Sequence, residues 1–566
     1  MHLNIDAEKR RKYDAIVIGS GISGGWSAKE LCEKGLKTLV LERGRDVQHV
    51  LDYPTAMKNP WEFEHRAWQT KQEKEDYYIQ KKCYAFNETT KHFFVKDKEN
   101  PYTQTKPFDW IRGYHVGGKS LMWARQTYRW SELDFESNLR DGNGCDWPIR
   151  YGDIASWYSY VERFAGISGN RDGLSQIPDG EFLPPMELNA AEKHFKNDLE
   201  TRFSGRHLVI GRAAHLTKAL NGRGPCQYRS LCERGCPFGA YFSSNSATLP
   251  AAEKTGNMTL KPNSIVHSLI YDDQKGRATG VRVIDTKSKE MSEYYAKIIF
   301  VNAACLNTTA ILMNSTSVRF PEGLGNDSGV LGHYLMDHNY RAGISATFAG
   351  LKDRYYYGRR PTGFYMPRFQ NIGSDKATTF VRGYAFGGAA YRSGWNRGMN
   401  QDGFGADWKE ALTEPGDWGM WLGGMGECLP SFDNYFKLNH EMKDEFGLPT
   451  LDFHAAWGRN EDAMTADMLR TGSEMLDAAG FTNIKANDNH ESPGLGIHEM
   501  GTARMGRDPK TSVLNEWNQI HACKNVFVTD GAAMVSGACQ NPSITYMALT
   551  ARAADFAVKE LKRQNL

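Results

Sequence analysis

The sequence predicts an α/β protein: a parallel-sheet domain assembled from both ends of the chain, with a second domain inserted into it. Two observations carry that expectation. Near the start, a buried strand runs into a glycine-rich turn, a helix and a second strand. At the far end, another short apolar strand precedes a long helix. The 566 residues, at about 150 per domain, leave ample room for an insertion between them.

Taken in order, Tyr13–Ile18 is apolar and β-branched enough for a buried strand, and Gly19-Ser20-Gly21-Ile22-Ser23-Gly24 is a tight turn. A helix follows to about Lys34, with Ala28, Leu31 and Cys32 on one face and Glu30 and Lys34 paired i,i+4 on the surface. Gly35 suits the left-handed residue after a helix, and Leu36–Leu41 is the second strand, ending at Glu42. Residues 50–110, aromatic and charged without periodicity, read as long loops over the core, and Gly113–Trp123 is glycine-rich. Ile154, Trp157, Tyr158, Val161 and Phe164 recur at helical spacing between Trp147 and Gly166. Thr259–Ile284 alternates like a β-meander, and Ile298–Val301 is a short buried strand. Residues 340–455 mix strand-like and glycine-rich segments rich in aromatics. Asn525–Val528 is the last strand, and a helix runs from Pro542 to about Lys562.

Composition narrows the function classes. Sixty-nine Lys and Arg against 67 Asp and Glu leave a net charge of +2, which supplies no strong field for nucleic acid or an anionic membrane. A 40% hydrophobic content fits a folded protein rather than a disordered one. No apolar run approaches the ~18 residues of a membrane span. Lys9-Arg10-Arg11-Lys12 leads into a short apolar run and then glycines, with no cleavage region, so it is expected to be a charged lead-in to the first strand and not an export signal. Ten cysteines are too sparse for a disulfide scaffold, and by count alone suit a reducing compartment. Three of them, Cys226, Cys232 and Cys236, fall within eleven residues.

Gly19, Gly21 and Gly24 form G-x-G-x-x-G between strand and helix. The first glycine permits the turn, the second lets backbone approach a pyrophosphate, and the third lets the helix sit close to the strand. The helix N-terminus then faces the phosphate charge. Glu42, 23 residues after Gly19, is placed to accept hydrogen bonds from a ribose 2′-OH. These features predict a Rossmann-like dinucleotide site and leave NAD and FAD open.

Further motifs distinguish the two by resemblance. Val116-Gly117-Gly118-Lys119-Ser120 with Trp123, Asn302-Ala303-Ala304 running to Asn314-Ser315, Gly325-Asn326 with Gly332 and Leu335-Met336-Asp337-His338, His498–Gly506, and Asp530-Gly531 through Asn541-Pro542 resemble, in order, the signatures of the glucose-methanol-choline (GMC) oxidoreductases. The resemblance spans residue 13 to about 560. It implies an FAD-binding α/β domain carrying a substrate domain built on an antiparallel sheet with helices. The expected FAD-binding parts are 10–50, 105–130, 205–335 and 495–566; the substrate domain and covering loops are 51–104, 131–204 and 336–494. It further implies FAD contacts from Gly19, Gly21, Ile22, Ser23 and Gly24, from Glu42 and Arg43, and from Gly117, Gly118, Ser120 and Met122. Val266, Ala303, Asp530, Gly531, Pro542 and Ser543 complete the implied set. Some members attach FAD through a histidine after the paired glycines; Met122 stands there, so non-covalent FAD is expected.

Oxidising an alcohol by hydride transfer needs a base for the hydroxyl proton, and histidine has a pKa near neutrality. By resemblance His498 is that base and Asn541 the hydrogen-bond partner of the substrate oxygen. Asn541 before Pro542 is also a suitable helix N-cap with proline at the first position. His338 and His454 read as structural or peripheral. Tyr384, Phe386, Trp395, Trp418 and Trp421 are equally compatible with a sugar-stacking pocket and with ordinary core.

Cys226, Cys232 and Cys236-Pro237 lie in an insert, about 222–242, that a plain family oxidase does not need. Three clustered thiolates suggest an iron–sulfur site, and three without a fourth suit a 3Fe-4S cluster. Zinc with His215 or an acidic residue as fourth ligand, or unmodified thiols, are the alternatives. The segment resembles that of bacterial FAD-dependent sugar dehydrogenases of the glucoside 3-dehydrogenase, glucose dehydrogenase and gluconate 2-dehydrogenase type. That resemblance implies a sugar or glycoside substrate, with C3 oxidation favoured. It also implies a small export-signal-bearing subunit, a cytochrome c subunit or other electron acceptor, and a periplasmic location. A cytoplasmic location and an oxygen-using sugar oxidase are the alternatives.

Overall fold

Short, near-continuously apolar runs form a parallel sheet buried on both faces, as such runs must. The computed structural model describes residues 12–354, 360–373 and 376–566; the basic residues at 9–11 lie outside them. Lys12–Ile18 pairs in parallel with Thr38–Leu41 on one side and Met291–Val301 on the other. Met258–Lys261 and Cys523–Val528 extend the sheet outward, so residues from both ends of the chain do share it. Ala15, Ile16, Val17, Ile298–Val301 and Val526–Val528 are fully buried. Ile22–Glu33 packs Ala28, Leu31 and Cys32 against Ala553, Ala554, Ala557 and Val558 of the final helix, Ser543–Lys562. Gly35 has φ +88°, as its place after the first helix requires.

Three local expectations change. Met258–Lys261 is a parallel strand and not part of the meander, which consists of Ser264–Asp272, Arg277–Asp285 and the first half of Met291–Val301. That last strand bends from antiparallel pairing into the parallel sheet, so Ile298–Val301 is its end and not a separate element. Glu30 is not on the surface: the Tyr151–Ala165 helix covers it, and the Tyr160 hydroxyl donates to it at 2.7 Å beside Lys29.

A second, antiparallel sheet runs in the order Thr482–Asp488, Ala342–Phe348, Trp418–Gly426, Tyr384–Arg392, Phe364–Met366, Val209–Ile210. The Arg459–Ala478 helix buries Met464, Met468 and Met475 in the same core as Ile344 and Phe386. Across the central pair, Gly387 faces Gly423 and Ala389 faces Trp421, so small residues leave room around one indole. That room opens onto the nucleotide domain.

Candidate active site

A single cavity of about 1180 Å³ runs from the glycine turn to Trp421, larger than a drug-sized ligand needs. Gly19, Gly21, Ile22, Ser23, Glu42 and Arg43 line one end. Gly118, Ser120, Met122, Val266 and Ala303 line its middle, and Asp530, Gly531, Asn541 and Ser543 close in from the C-terminal segment. Gly24, Gly117 and Pro542 do not line it. A Cβ on Gly24 would lie 2.0 Å from the Gly19 carbonyl oxygen, so Gly24 acts through helix–strand contact, the third glycine's expected role. Gly117 sits against the Asn245 side chain, and Pro542 ends the loop behind the final helix.

The turn is built for an anion. The Ile22–Glu33 helix has no side-chain cap and no acidic residue in its first turn, leaving its N-terminal N–H groups and dipole toward the cavity. Glu42 accepts from Ser20 N at 3.1 Å, Ser20 Oγ at 2.6 Å and Gly44 N at 2.9 Å, which sets the carboxylate at the cavity wall. Burial pushes its pKa up, opposed by these bonds.

His498 lines the cavity from a loop gathered by Asp337, whose carboxylate accepts from the backbone N–H groups of Gly494, Gly496 and His498 at 2.8, 2.8 and 3.0 Å. Ile497, immediately before it, is held at φ +59°, a strained conformation for a β-branched residue and one that marks a functional turn. Burial, then neighbouring His338 and Lys119, hold the His498 pKa well below the ordinary histidine value. A lowered pKa keeps the ring neutral, with a lone pair available, down to more acid pH. The acid limb of substrate-driven flavin reduction is therefore expected below pH 6.5; a limb at or above that value, in stopped-flow rates across pH 5–8, would contradict the burial argument.

The structure corrects one expectation about the surrounding residues and resolves two that were open. Of the two readings of His338, structural or peripheral, the structural, buried one holds: its Nδ1 lies 2.7 Å from His498 Nδ1, although 160 residues separate them in sequence. The Asp337-His338 pair inside a motif was the one available signal. Asn541 does not cap the final helix, which starts at Ser543 after Pro542; among the described residues its side chain makes no hydrogen bond, and it lines the cavity instead. Of the five aromatics, Tyr384, Phe386 and Trp418 lie on the core face of their strands, and Trp395 is exposed on a short 3-10 turn outside the sheet. Trp421 alone of the five lines the cavity, near Tyr340 and Tyr391. His454 packs on Tyr435 away from the site. Lys119, paired with Glu499 at 2.5 Å, is a further cavity residue that sequence reasoning did not single out.

The structure brings Cys226, Cys232 and Cys236 into one loop as free thiols, close enough to interact electrostatically. Tyr228, Ser230, Gly235 and Gly239 all have left-handed φ, winding the loop tightly. Ser230 and Glu233 of the same loop line the cavity, and buried Arg125, at the cavity wall, presents its charge to Cys232. His215 Nε2 lies 3.8 Å from Cys232 Sγ. Among the described residues, no three His, Cys, Asp or Glu side chains converge on a point that would hold one metal ion. That holds alike for zinc and for a 3Fe-4S cluster: neither donor set is assembled among the described side chains.

A family model described as GMC oxidoreductase matches residues 13–340, and a second of the same description matches 430–550. The chain belongs to the GMC oxidoreductase family. This GMC oxidoreductase is 27% identical to 2-methyl-1,2-propanediol dehydrogenase of Mycolicibacterium austroafricanum, over 96% of this chain and 94% of that one. It is 25% identical to the fructose dehydrogenase large subunit of Gluconobacter japonicus, over 97% and 98%. Its fold matches formate oxidase of Aspergillus oryzae RIB40 with a TM-score of 0.60, at 14% identity over 98% and 99% of the two chains. As a GMC oxidoreductase it acts on CH–OH groups and uses FAD. The cavity fits that cofactor: beyond the uncapped helix, buried Glu499 Oε1 and Tyr546 Oη at its wall have no partner among the described residues. No described helix is long and apolar enough to cross a membrane.

Proposed function

We propose that this GMC oxidoreductase is a sugar dehydrogenase that oxidises a secondary hydroxyl, favouring C3 of glucose or a glucoside, and delivers electrons to an external acceptor through FAD and an iron–sulfur cluster. One observation carries the reading: the cysteine loop and the His498–Asn541 wall border the same cavity. An enzyme that needs only oxygen has no use for a thiol loop beside its flavin.

In the proposed reaction, His498 takes the substrate O–H proton while hydride leaves the same carbon. Bound FAD, held non-covalently because Met122 offers no nucleophilic nitrogen, supplies the two-electron acceptor. Asn541, free of the helix, donates its amide N–H to the substrate oxygen. Trp421, Tyr340 and Tyr391 offer ring faces to a sugar. Cys226, Cys232 and Cys236 are the residues that would hold a 3Fe-4S cluster, which would supply one-electron transfer. Arg125 would offset part of its negative charge. The acceptor is proposed to be a cytochrome c subunit, with a small export-signal-bearing subunit and a periplasmic location. The match to a relative named as a large subunit supports that arrangement.

The test uses the purified enzyme with methyl glucoside, whose C1 is blocked, and a dye acceptor. Dye reduction, about three irons per chain and an EPR signal in the oxidised state are expected. Turnover of glucose but not methyl glucoside would shift the reading to a C1 dehydrogenase. Peroxide formed without dye, or a yellow iron-free preparation with full FAD content, would remove the dehydrogenase with a cluster.

A further inference from the structure

His338 makes two kinds of contact that together determine where protons sit. Its Nε2 lies 3.1 Å from the Gly537 carbonyl oxygen and 3.0 Å from that of Ala538. Its Nδ1 lies 2.7 Å from His498 Nδ1. Carbonyl oxygens only accept, so Nε2 of His338 must carry a hydrogen. A neutral imidazole has one N–H, which leaves a lone pair at His338 Nδ1. Two lone pairs cannot face each other at 2.7 Å, so the hydrogen between the rings belongs to His498 Nδ1.

We propose that His338 is a positioning residue that holds His498 in its Nδ1–H tautomer, leaving the Nε2 lone pair free for the substrate hydroxyl. The proposal deepens, and rests on, the reading of His498 as the base. When the substrate O–H bond breaks, its proton goes to His498 Nε2. The resulting imidazolium still donates Nδ1–H to His338, so the charge forms with its acceptor already in place. Unlike a carboxylate in that position, His338 is neutral.

The surroundings keep it so. His338 is fully buried, and burial holds its pKa down to about 4. The charged groups around the pair are Asp337, Glu427, Glu499 and Lys119. Asp337 is engaged by backbone N–H groups, Glu427 by Arg382 at 2.6 Å, and Glu499 by Lys119, so none offers His338 a free counter-charge. The backbone on both sides is specially shaped: Ala538 has φ +52° and Ile497 has φ +59°, one presenting the carbonyl and the other preceding the base. The rings meet edge to face, with centroids 4.8 Å apart at 82°. That geometry serves a hydrogen bond rather than stacking.

Asparagine and glutamine separate this role from packing. The oxygen of His338→Asn falls near the Nδ1 position and accepts from His498 Nδ1–H. The amide of His338→Gln reaches the Nε2 position, meets the two carbonyls and leaves His498 without an acceptor. In the FAD-loaded enzyme, His338→Asn is expected to reduce its flavin with saturating substrate within about tenfold of the wild-type rate. His338→Gln is expected to be slower by about 10²–10⁴-fold, the contribution of a correctly poised general base. KM is expected to change less than kcat in both. Equal rates for the two variants, or loss of FAD from the asparagine variant, would overturn the proposal. If the glutamine variant fails to hold FAD, His338→Leu takes its place and must be equally slow. His498→Ala separates the two levels of argument. If it still reduces flavin, the base assignment fails; if it is inactive while His338→Gln matches wild type, only the role of His338 fails.

Discussion

Replacing His498 by alanine is expected to slow substrate-driven flavin reduction by about 10²–10⁴-fold, the contribution of a positioned general base, while FAD stays bound. The loss is large because Asn541 is not a base and the nearest other imidazole, His338, has its lone pair turned to His498 and its N–H to carbonyls. FAD retention follows from the architecture. The residues placed for the cofactor lie mainly on the glycine turn, the 118–122 segment and the 530–543 segment. The loop carrying His498 is gathered by its backbone N–H groups on Asp337, a device that survives loss of the side chain. Anaerobic stopped-flow absorbance with sugar, and chemical reduction of the same sample by dithionite, distinguish a lost base from a lost cofactor. Reduction by sugar within tenfold of wild type would sink the assignment.

The second large effect concerns the fold. Gly24→Ala is expected to destabilise the nucleotide domain by about 3 kcal/mol, at the upper end for an overpacked core, and to yield protein with little FAD. Its Cβ would lie 2.0 Å from the Gly19 carbonyl oxygen and 2.6 Å from the carbonyl carbon. These are backbone atoms, and Gly19 is itself pinned: at φ +92°, its own Cβ would come within 2.3 Å of the Asn302 carbonyl oxygen. The helix must therefore lift off the strand, carrying its uncapped N-terminus away from the cavity. Gly21→Ala is the contrast. A Cβ there meets protein only at 3.9 Å but projects where a pyrophosphate would approach, so the apoprotein should melt normally and bind FAD weakly. Thermal melting and flavin content of both variants check the pair. A Gly24→Ala protein with wild-type melting and full FAD would refute the clash.

Much of this was legible in the chain because it depends on neighbours in sequence. The apolar runs Tyr13–Ile18 and Asn525–Val528 name parallel strands, since only burial on both faces tolerates such composition. The glycine spacing specifies a turn, and Met122, His498 and Asn541 stand in motifs that carry their own context. Less legible was anything decided by which way a side chain points. Trp421 and Trp418 sit three apart on one strand, yet one lines the cavity and the other the core, a matter of pleat and register that composition does not encode.

By itself the sequence determined the nucleotide-binding unit, the family motifs, the histidine proposed as the base and the clustering of three cysteines, each a local pattern of residue types. Only the tertiary structure decided that His338 meets His498, that Asn541 is released from capping, and that the cysteine loop shares a wall with the cavity. The first and the last are contacts between segments far apart in the chain. They arise because an antiparallel sheet closes over a parallel one, and no local propensity records how two sheets meet.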